Sequence, residues 1–194
     1  MPVKGTPCGA YGGRVSSSLL PITTERLRLR AHTAADAGWL QRVYGRPDVA
    51  LYLLDEPWTA ELAAVKVSER IARVDLDGES RGLALAVERD GEAIGDVVLW
   101  RTGPDARLAE IGWVLDPAHG GHGYAREAVS ALLTLAFEHY GLHRVAAQMD
   151  ARNTASARLA EAVGMRREAH LRANWWSKGE WTDTLIFGAL LTDR

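Results

Sequence analysis

The chain has 194 residues, with 23 basic and 25 acidic side chains, a formal net charge of −2 and a single cysteine, Cys8. That length suits one domain with a sizeable core and is short for two. Interspersed charges exclude a polybasic nucleic-acid face, one cysteine excludes an internal disulfide framework, and the apolar runs fall far short of the ~20 residues of a membrane span.

Residues 1–18 mix Gly and Pro with the run Ser16-Ser17-Ser18 and show no apolar period, so they are expected to be a flexible tail. The folded unit is expected over 19–194. The tail lacks the apolar core of a secretory signal, which makes a cytoplasmic protein the expectation. Cys8 in such a leader is a poor candidate nucleophile.

Leu27 and Leu29 alternate with Arg26, Arg28 and Arg30, which predicts a half-buried strand. Thr33 caps a predicted helix with Ala37, Leu40, Val43 and Tyr44 on one face. Thr59 caps a second, with Leu62, Val65, Ile71 and Val74 as its stripe. Gly82–Arg89 and Glu92–Arg101 read as strands joined across Asp90-Gly91, a hairpin signal. Leu108–Leu115 is the next strand. A helix over Tyr124–Tyr140, a strand over His143–Met149, a helix from Thr154 and a hairpin around Lys178-Gly179 complete the chain. No internal repeat is present.

The segment Asp116-Pro117-Ala118-His119-Gly120-Gly121-His122-Gly123-Tyr124-Ala125-Arg126-Glu127-Ala128 stands between a predicted strand and a predicted helix. Its glycines let the backbone approach a ligand, and the helix start offers unpaired N–H groups at the positive end of the dipole. That combination is an anion site, most often for phosphate. No Lys lies between Lys66 and Lys178, so a Walker loop is excluded. Gly121-His122-Gly123 opens like a dinucleotide fingerprint, but its last position is Arg126, too bulky for close helix–strand packing. Asp150, ending the next strand, is the one feature left for a ribose-binding acid. The antiparallel run before the loop also argues against a Rossmann unit. A plain glycine-rich turn is the bland alternative.

The loop resembles the pyrophosphate loop of the GNAT N-acetyltransferases, Q/R-x-x-G-x-G/A. Gly120-Gly121-His122-Gly123-Tyr124-Ala125 matches at Gly123 and Ala125, and Gly120 stands where Gln, Arg or an aromatic is usual. Three further segments fit in order. Asn153-Thr154-Ala155-Ser156 through Gly164-Met165 resembles the family's N-x-(S/T)-(S/A)…G-F segment. Asn174 to Asp183 resembles the hairpin of the subgroup that acetylates N-termini of ribosomal proteins, and Thr23 to Arg30 resembles that subgroup's first strand. The resemblance covers roughly 22–191. It implies an α/β (α+β) fold with a mixed, mostly antiparallel central sheet of about six to seven strands and flanking helices. It also implies acetyl-CoA as the acyl-donor cosubstrate.

On that reading, the amides of Gly120, Gly121, His122, Gly123, Tyr124 and Ala125 hold the pyrophosphate, and Trp113, Val114 and Leu115 pair with the pantetheine as an added strand would. Asn153 is a pantetheine contact, a helix N-cap, or both. The acceptor is a primary amine. An α-amine with a pKa of ~8 is partly neutral at pH 7, whereas a lysine-like amine at ~10.4 costs roughly 4.6 kcal/mol to deprotonate. A protein N-terminus therefore needs only a weak base. Glu110, Asp96 and Asp183 are the candidate carboxylates. Glu110 shares a strand face with Gly112 and Val114, and its neighbours Ala109 and Ile111 suggest burial that raises its pKa. The alternative for Glu110 is a solvated face or a salt bridge. Asp183 is either acceptor recognition or a solvated charge. Family members often carry a Tyr acid seven residues after the helix-opening Asn; here that position is Ala160, and Ser156 is the substitute or simply a first-turn residue. His119 and His122 lack a third ligand at metal spacing, which leaves a phosphate-facing or solvated role. Trp175, Trp176 and Trp181 line an acceptor groove or pack the hairpin. Rival readings are an aminoglycoside or polyamine acetyltransferase and a non-catalytic CoA or nucleotide sensor. A homodimer is compatible with the sequence; nucleic acid and membrane partners are not expected.

Overall fold

In the computed structural model, which describes residues 19–105 and 107–193, nine strands join one sheet. The predicted tail and Cys8 lie outside the described residues. The strands are β1 (Ile22–Thr23), β2 (Arg28–Ala31), β3 (Val74–Asp75), β4 (Gly82–Arg89), β5 (Glu92–Arg101), β6 (Leu108–Leu115), β7 (Arg144–Asp150), β8 (Arg166–Ser177) and β9 (Glu180–Leu190). Seven have four or more residues; β1 and β3 are two-residue additions that no alternation pattern could mark. The order is β1-β2-β4-β5-β6-β7-β9-β8, with β3 beside β4. Only β6 and β7 pair in parallel. A parallel pair needs a crossover, and α4 (Tyr124–Thr134) supplies it.

The turn chemistry is as the sequence predicts. Asp90 and Gly91 both take positive φ, 51° and 84°, as do Lys178 and Gly179 at 51° and 83°. Side chains of β4, β5 and β6 alternate between two layers. Leu85, Val87, Val97, Leu99, Ala109 and Ile111 face α4 and α5 (Thr154–Ala162) in the larger core. Ala86 and Val114 face α1 (Ala37–Tyr44) and α3 (Ala60–Ile71), where Trp39, Leu40, Val43, Tyr44 and Trp58 make the second core. A short α2 (Pro47–Ala50) leads into the loop Leu51–Leu54.

Two predicted helices need correction. In α3 the buried residues are Ala63 and Val67, whereas Val65, Ile71 and Val74 are exposed and Val74 belongs to β3. Ala63 and Val67 pack against the second core with the half-buried Leu62, so of the predicted stripe only Leu62 lies on the packed side. The predicted helix to Tyr140 ends its α-helical part at Thr134, and Leu135–His139 continues as a π turn closed by Tyr140 N–H to Leu135 O, 3.2 Å. Among the described residues no helix is long and apolar enough to cross a membrane.

Candidate active site

The β6–β7 ladder holds three pairs, Leu108 with Arg144, Ala109 with Val145 and Glu110 with Ala146, and then stops. Both strands continue, to Leu115 and Asp150, so they splay apart. The edge of β6 from Gly112 onward faces this gap unpaired by β7. An extended chain laid there would add to the sheet through main-chain hydrogen bonds. A cavity of about 130 Å³ occupies the gap. Trp113, Asn153 and Ser156 line it from the α5 side and Tyr52 and Leu53 from the other, so it passes through the sheet.

At the head of the gap β6 runs into the glycine loop. Asp116 caps a short 3₁₀ turn, Pro117–His119, by accepting from Ala118 N–H. Gly121 and Gly123 then both have φ of 79°, a conformation that side chains with Cβ branching resist. Gly123 is the N-cap of α4. The amides from Gly121 to Arg126 have no partner among the described residues, as expected of a helix start. The loop is fixed from behind. Arg26 donates to His122 O at 3.0 Å, pairs with Glu127 at 2.7 Å, and lies 4.8 Å over the Tyr124 ring. Burial would raise the Glu127 carboxyl, but Thr24, Arg26 N–H and the Arg26 guanidinium hold it below the ordinary range. The arrangement leaves a row of backbone donors without partners among the described residues and fits a pyrophosphate. His122 stacks on Tyr124, with centroids 5.6 Å apart. Among the described residues no cluster of three His, Cys, Asp or Glu is placed to hold a metal.

Asn153 is an N-cap: its Oδ1 accepts from Ser156 N–H at 3.0 Å. Ser156 Oγ in turn accepts from Trp113 Nε1 at 3.2 Å. Indole N–H only donates, so the Ser156 hydroxyl proton is left for the cavity that both residues line. Ala160, where a Tyr acid was sought, is fully buried in the larger core. No acid can stand there without displacing the packing.

A second cavity, about 370 Å³, lies on the α1/α3 face of the sheet beyond the gap. Glu110, Gln148, Asp150, Thr182 and Thr184 come up from the strands; Leu51–Leu54 roof it, and Trp100 and Trp175 stand in its walls. Trp100 packs over Gly112: a Cβ there would sit 3.4 Å from the Trp100 ring, at van der Waals contact. The roof is strapped down by Lys178, whose ammonium donates to Leu53 O at 2.8 Å and also to Ala50 O.

The four carboxylates of interest fare differently. Glu110 is half-buried, faces the cavity, and accepts one hydrogen bond, from Gln148 Nε2 at 2.7 Å. Its neighbours Ala109 and Ile111 point into the opposite core, so they do not bury it as the sequence suggested. Asp150 also lines the cavity, but Arg152 claims both of its oxygens, at 2.7 and 3.0 Å, and continues to Glu180. That pairing leaves no free acid for a ribose and removes the last support for the dinucleotide reading. Asp96 is enclosed in the second core. Asp183 is a correction. It alternates with Thr182 and Thr184, so it faces away from the cavity and accepts from His170 Nε2 and Ala173 N–H, each at 2.8 Å. Those two contacts, the Ala173 amide first, hold its carboxyl below the ordinary range. Ala173 has φ of 44° inside a bulge of β8 between Leu171 and Trp175. Asp183 therefore anchors the bulge that returns Trp175 to register opposite Thr182. Of the three hairpin tryptophans, Trp175 lines the cavity, whereas Trp176 and Trp181 pack edge-to-face on each other, 5.4 Å apart.

Sequence reasoning did not find Tyr52, Trp100, Gln148 or Lys178. Gln148 carried a usable signal, since it shares parity with Asp150 on the strand beside Glu110. The others meet the site only through long-range packing.

The model of the acetyltransferase (GNAT) domain family matches residues 26–166. The chain is 30% identical over 169 residues to p20 of Bacillus licheniformis, an uncharacterized N-acetyltransferase, covering 87% of this chain and 95% of that one. Two solved structures share the fold. Spermidine N-acetyltransferase from Vibrio cholerae, in complex with CoA and spermine, has a TM-score of 0.74 at 22% identity, over 88% of this chain and 98% of that one. RimL, a ribosomal L7/L12 alpha-N-protein acetyltransferase in complex with coenzyme A, has a TM-score of 0.75 at 20% identity, over 88% and 97%.

Proposed function

The chain belongs to the GNAT acetyltransferase family and is an acetyl-CoA-dependent N-acetyltransferase; from that premise we propose that its acceptor is the α-amine of a protein or peptide N-terminus. The observation that carries this reading is the cavity beyond the strand gap, which offers one carboxylate free to take a proton, Glu110, in a mostly apolar chamber. A polyamine bears several positive charges and calls for several free acids. Here the second acid that lines the cavity, Asp150, is already held in an ion pair by Arg152.

The residues suit the cosubstrate. The amides of Gly121–Ala125, with Gly120 leading in, would hold the pyrophosphate, and the free edge of Trp113, Val114 and Leu115 would pair with the pantetheine. Acetyl-CoA supplies the thioester. Glu110 takes the proton that the acceptor ammonium must lose, directly or through a water; the neutral nitrogen forms the new C–N bond as the C–S bond breaks, and the proton it sheds on becoming an amide passes to the departing thiolate. Ser156 donates a hydrogen bond to the departing sulfur. A thiolate leaves readily, with a pKa of ~8.5, so a hydroxyl suffices where a Tyr is absent. Asp183 has no part in the chemistry.

The test is thiol release from acetyl-CoA with N-terminal peptides, aminoglycosides and polyamines, with products identified by mass spectrometry. The expected product is an N-terminally acetylated peptide. Transfer to spermidine in preference to every peptide would overturn the acceptor assignment.

A further inference from the structure

The acceptor cavity is longer than an amine requires. Glu110 stands on β6, while Thr182 and Thr184 stand on β9 and Trp175 on β8. From β6 across β7 and β9 to β8 is three strand spacings, at least roughly 14 Å. A first side chain cannot reach that far from an amine held at Glu110; an extended peptide at ~3.3–3.6 Å per residue covers it in about four residues.

The far part of the cavity carries large apolar side chains beside Thr182 and Thr184. Leu51 and Leu54 are 49% and 72% exposed and Trp175 is 48% exposed, yet all three line one cavity. Their position is enforced. Lys178, at the tip of the β8–β9 hairpin, ties Leu53 O and Ala50 O down toward that hairpin. Thr182 Oγ1 donates to Trp175 O at 3.2 Å, and Asp183 fixes the bulge beneath. Large apolar side chains held apart around a space, rather than collapsed on each other, make a receiving surface. It is continuous with the reactive end of the site, so its occupant is the acceptor's own chain. The free charge facing the space is the carboxylate of Glu110, which disfavours acidic residues near the acceptor's amine.

Resting on the N-terminal reading above, we infer that this enzyme reads its acceptor beyond the first residue and selects peptides with large apolar side chains at positions two to four. The first residue meets Trp100, Gly112 and Tyr52; the following ones meet the Leu51–Leu54 roof and Trp175.

The experiment uses peptides with a common first residue and Leu or Trp, Ser, Lys or Asp at positions two to four. It also includes the amide of the first residue alone and spermidine. With the full chain, apolar peptides should exceed the Ser series in kcat/KM by ~10-fold or more, with the Asp series lowest. Trp175→Ala should erase most of that preference, chiefly through KM for the peptide, with acetyl-CoA affinity unchanged. Lys178→Met should weaken it in the same direction, so the proposal does not hang on one variant. Equal kcat/KM for all peptides, or a single-residue amide as good as the apolar peptides, overturns this inference while leaving N-terminal acetylation standing. Transfer to spermidine alone, or to no peptide, overturns both.

Discussion

Asp96 and Glu110 are carboxylates on adjoining strands and on the same face of the sheet. The register sets Asp96 opposite Val114 and Glu110 opposite Trp100, four pairs further along. Under α1 and α3, Asp96 accepts from Arg70 Nε at 2.6 Å, Tyr44 hydroxyl at 2.8 Å and His32 Nε2 at 3.2 Å. Past the end of those helices, Glu110 accepts, among the described residues, from Gln148 alone. One region uses a carboxylate to satisfy a buried polar cluster; the other leaves a carboxylate with open acceptor capacity beside a cavity. The difference comes from what covers the sheet, not from the strands.

Glu110→Gln breaks the contrast from the catalytic side and should have the largest effect. The amide keeps the shape and the Gln148 neighbourhood but takes no proton. Turnover should fall ~10²–10⁴-fold, toward the lower end if a water shares the work. The deficit should shrink as pH rises past ~8, where the acceptor amine is already neutral. A deficit constant across pH would mean that Glu110 only positions the acceptor. Stability, read by urea denaturation, should be unchanged.

Asp96→Ala should do the reverse. Removing one partner of a buried ionic cluster strands Arg70 and His32, at about 3–5 kcal/mol of stability, while the kcat of the folded fraction stays near that of the parent. The acid limb gives a second readout. Burial by itself would raise the Asp96 carboxyl; Arg70, then His32 and Tyr44, hold it below its ordinary value. Its folded pKa is depressed, so its stabilisation is present above the unfolded value of ~3.9 and is lost as pH falls below that. In Asp96→Asn that part of the acid-induced loss should disappear. An unaltered acid limb in the variant would show that Asp96 contributes no pH-dependent stability.

The donor side contrasts with both, because its groups are backbone. Gly123→Val puts a β-branched side chain at φ of 79°, at a strain of about 1–3 kcal/mol. The loop can relieve that only by re-aiming its amides. Acetyl-CoA affinity should drop ~10–10²-fold with the fold intact by circular dichroism. A folded variant with parental affinity would place the pyrophosphate elsewhere.

These differences also explain what the sequence disclosed. The glycine loop and its strand and helix are contiguous, so local chemistry exposed them. Glu110 was found by parity with Gly112, although its expected burial was wrong because Ala109 and Ile111 belong to the other layer. Asp183 was misplaced because the face it occupies is set by the pairing of β9 with β7, Thr184 opposite Asp150, which the sequence alone does not give. The α3 stripe failed beyond Leu62 because the packed face carries Ala63 and Val67, while Val65 and Ile71, no less apolar, lie on the exposed side. Tyr52 and Trp100 reach the cavity and Lys178 its roof from three separated segments, and no spacing rule connects them.

Ser156 sits where the two halves meet, and its effect should be the smallest. Ser156→Ala removes a hydrogen bond to the departing sulfur, worth about 0.5–1.5 kcal/mol, so kcat should fall ~2–10-fold with acetyl-CoA affinity unchanged. The same change strands Trp113 Nε1, which donates to Ser156 Oγ. A loss could therefore come from a displaced Trp113. Trp113→Phe separates the two: it removes the indole donor and leaves the Ser156 hydroxyl in place. If Ser156 acts on the sulfur, Trp113→Phe keeps most of kcat and the double variant behaves like Ser156→Ala. If Ser156 only anchors Trp113, the two single variants lose kcat equally. Equal losses would leave departure of the thiolate without help from this chain's side chains.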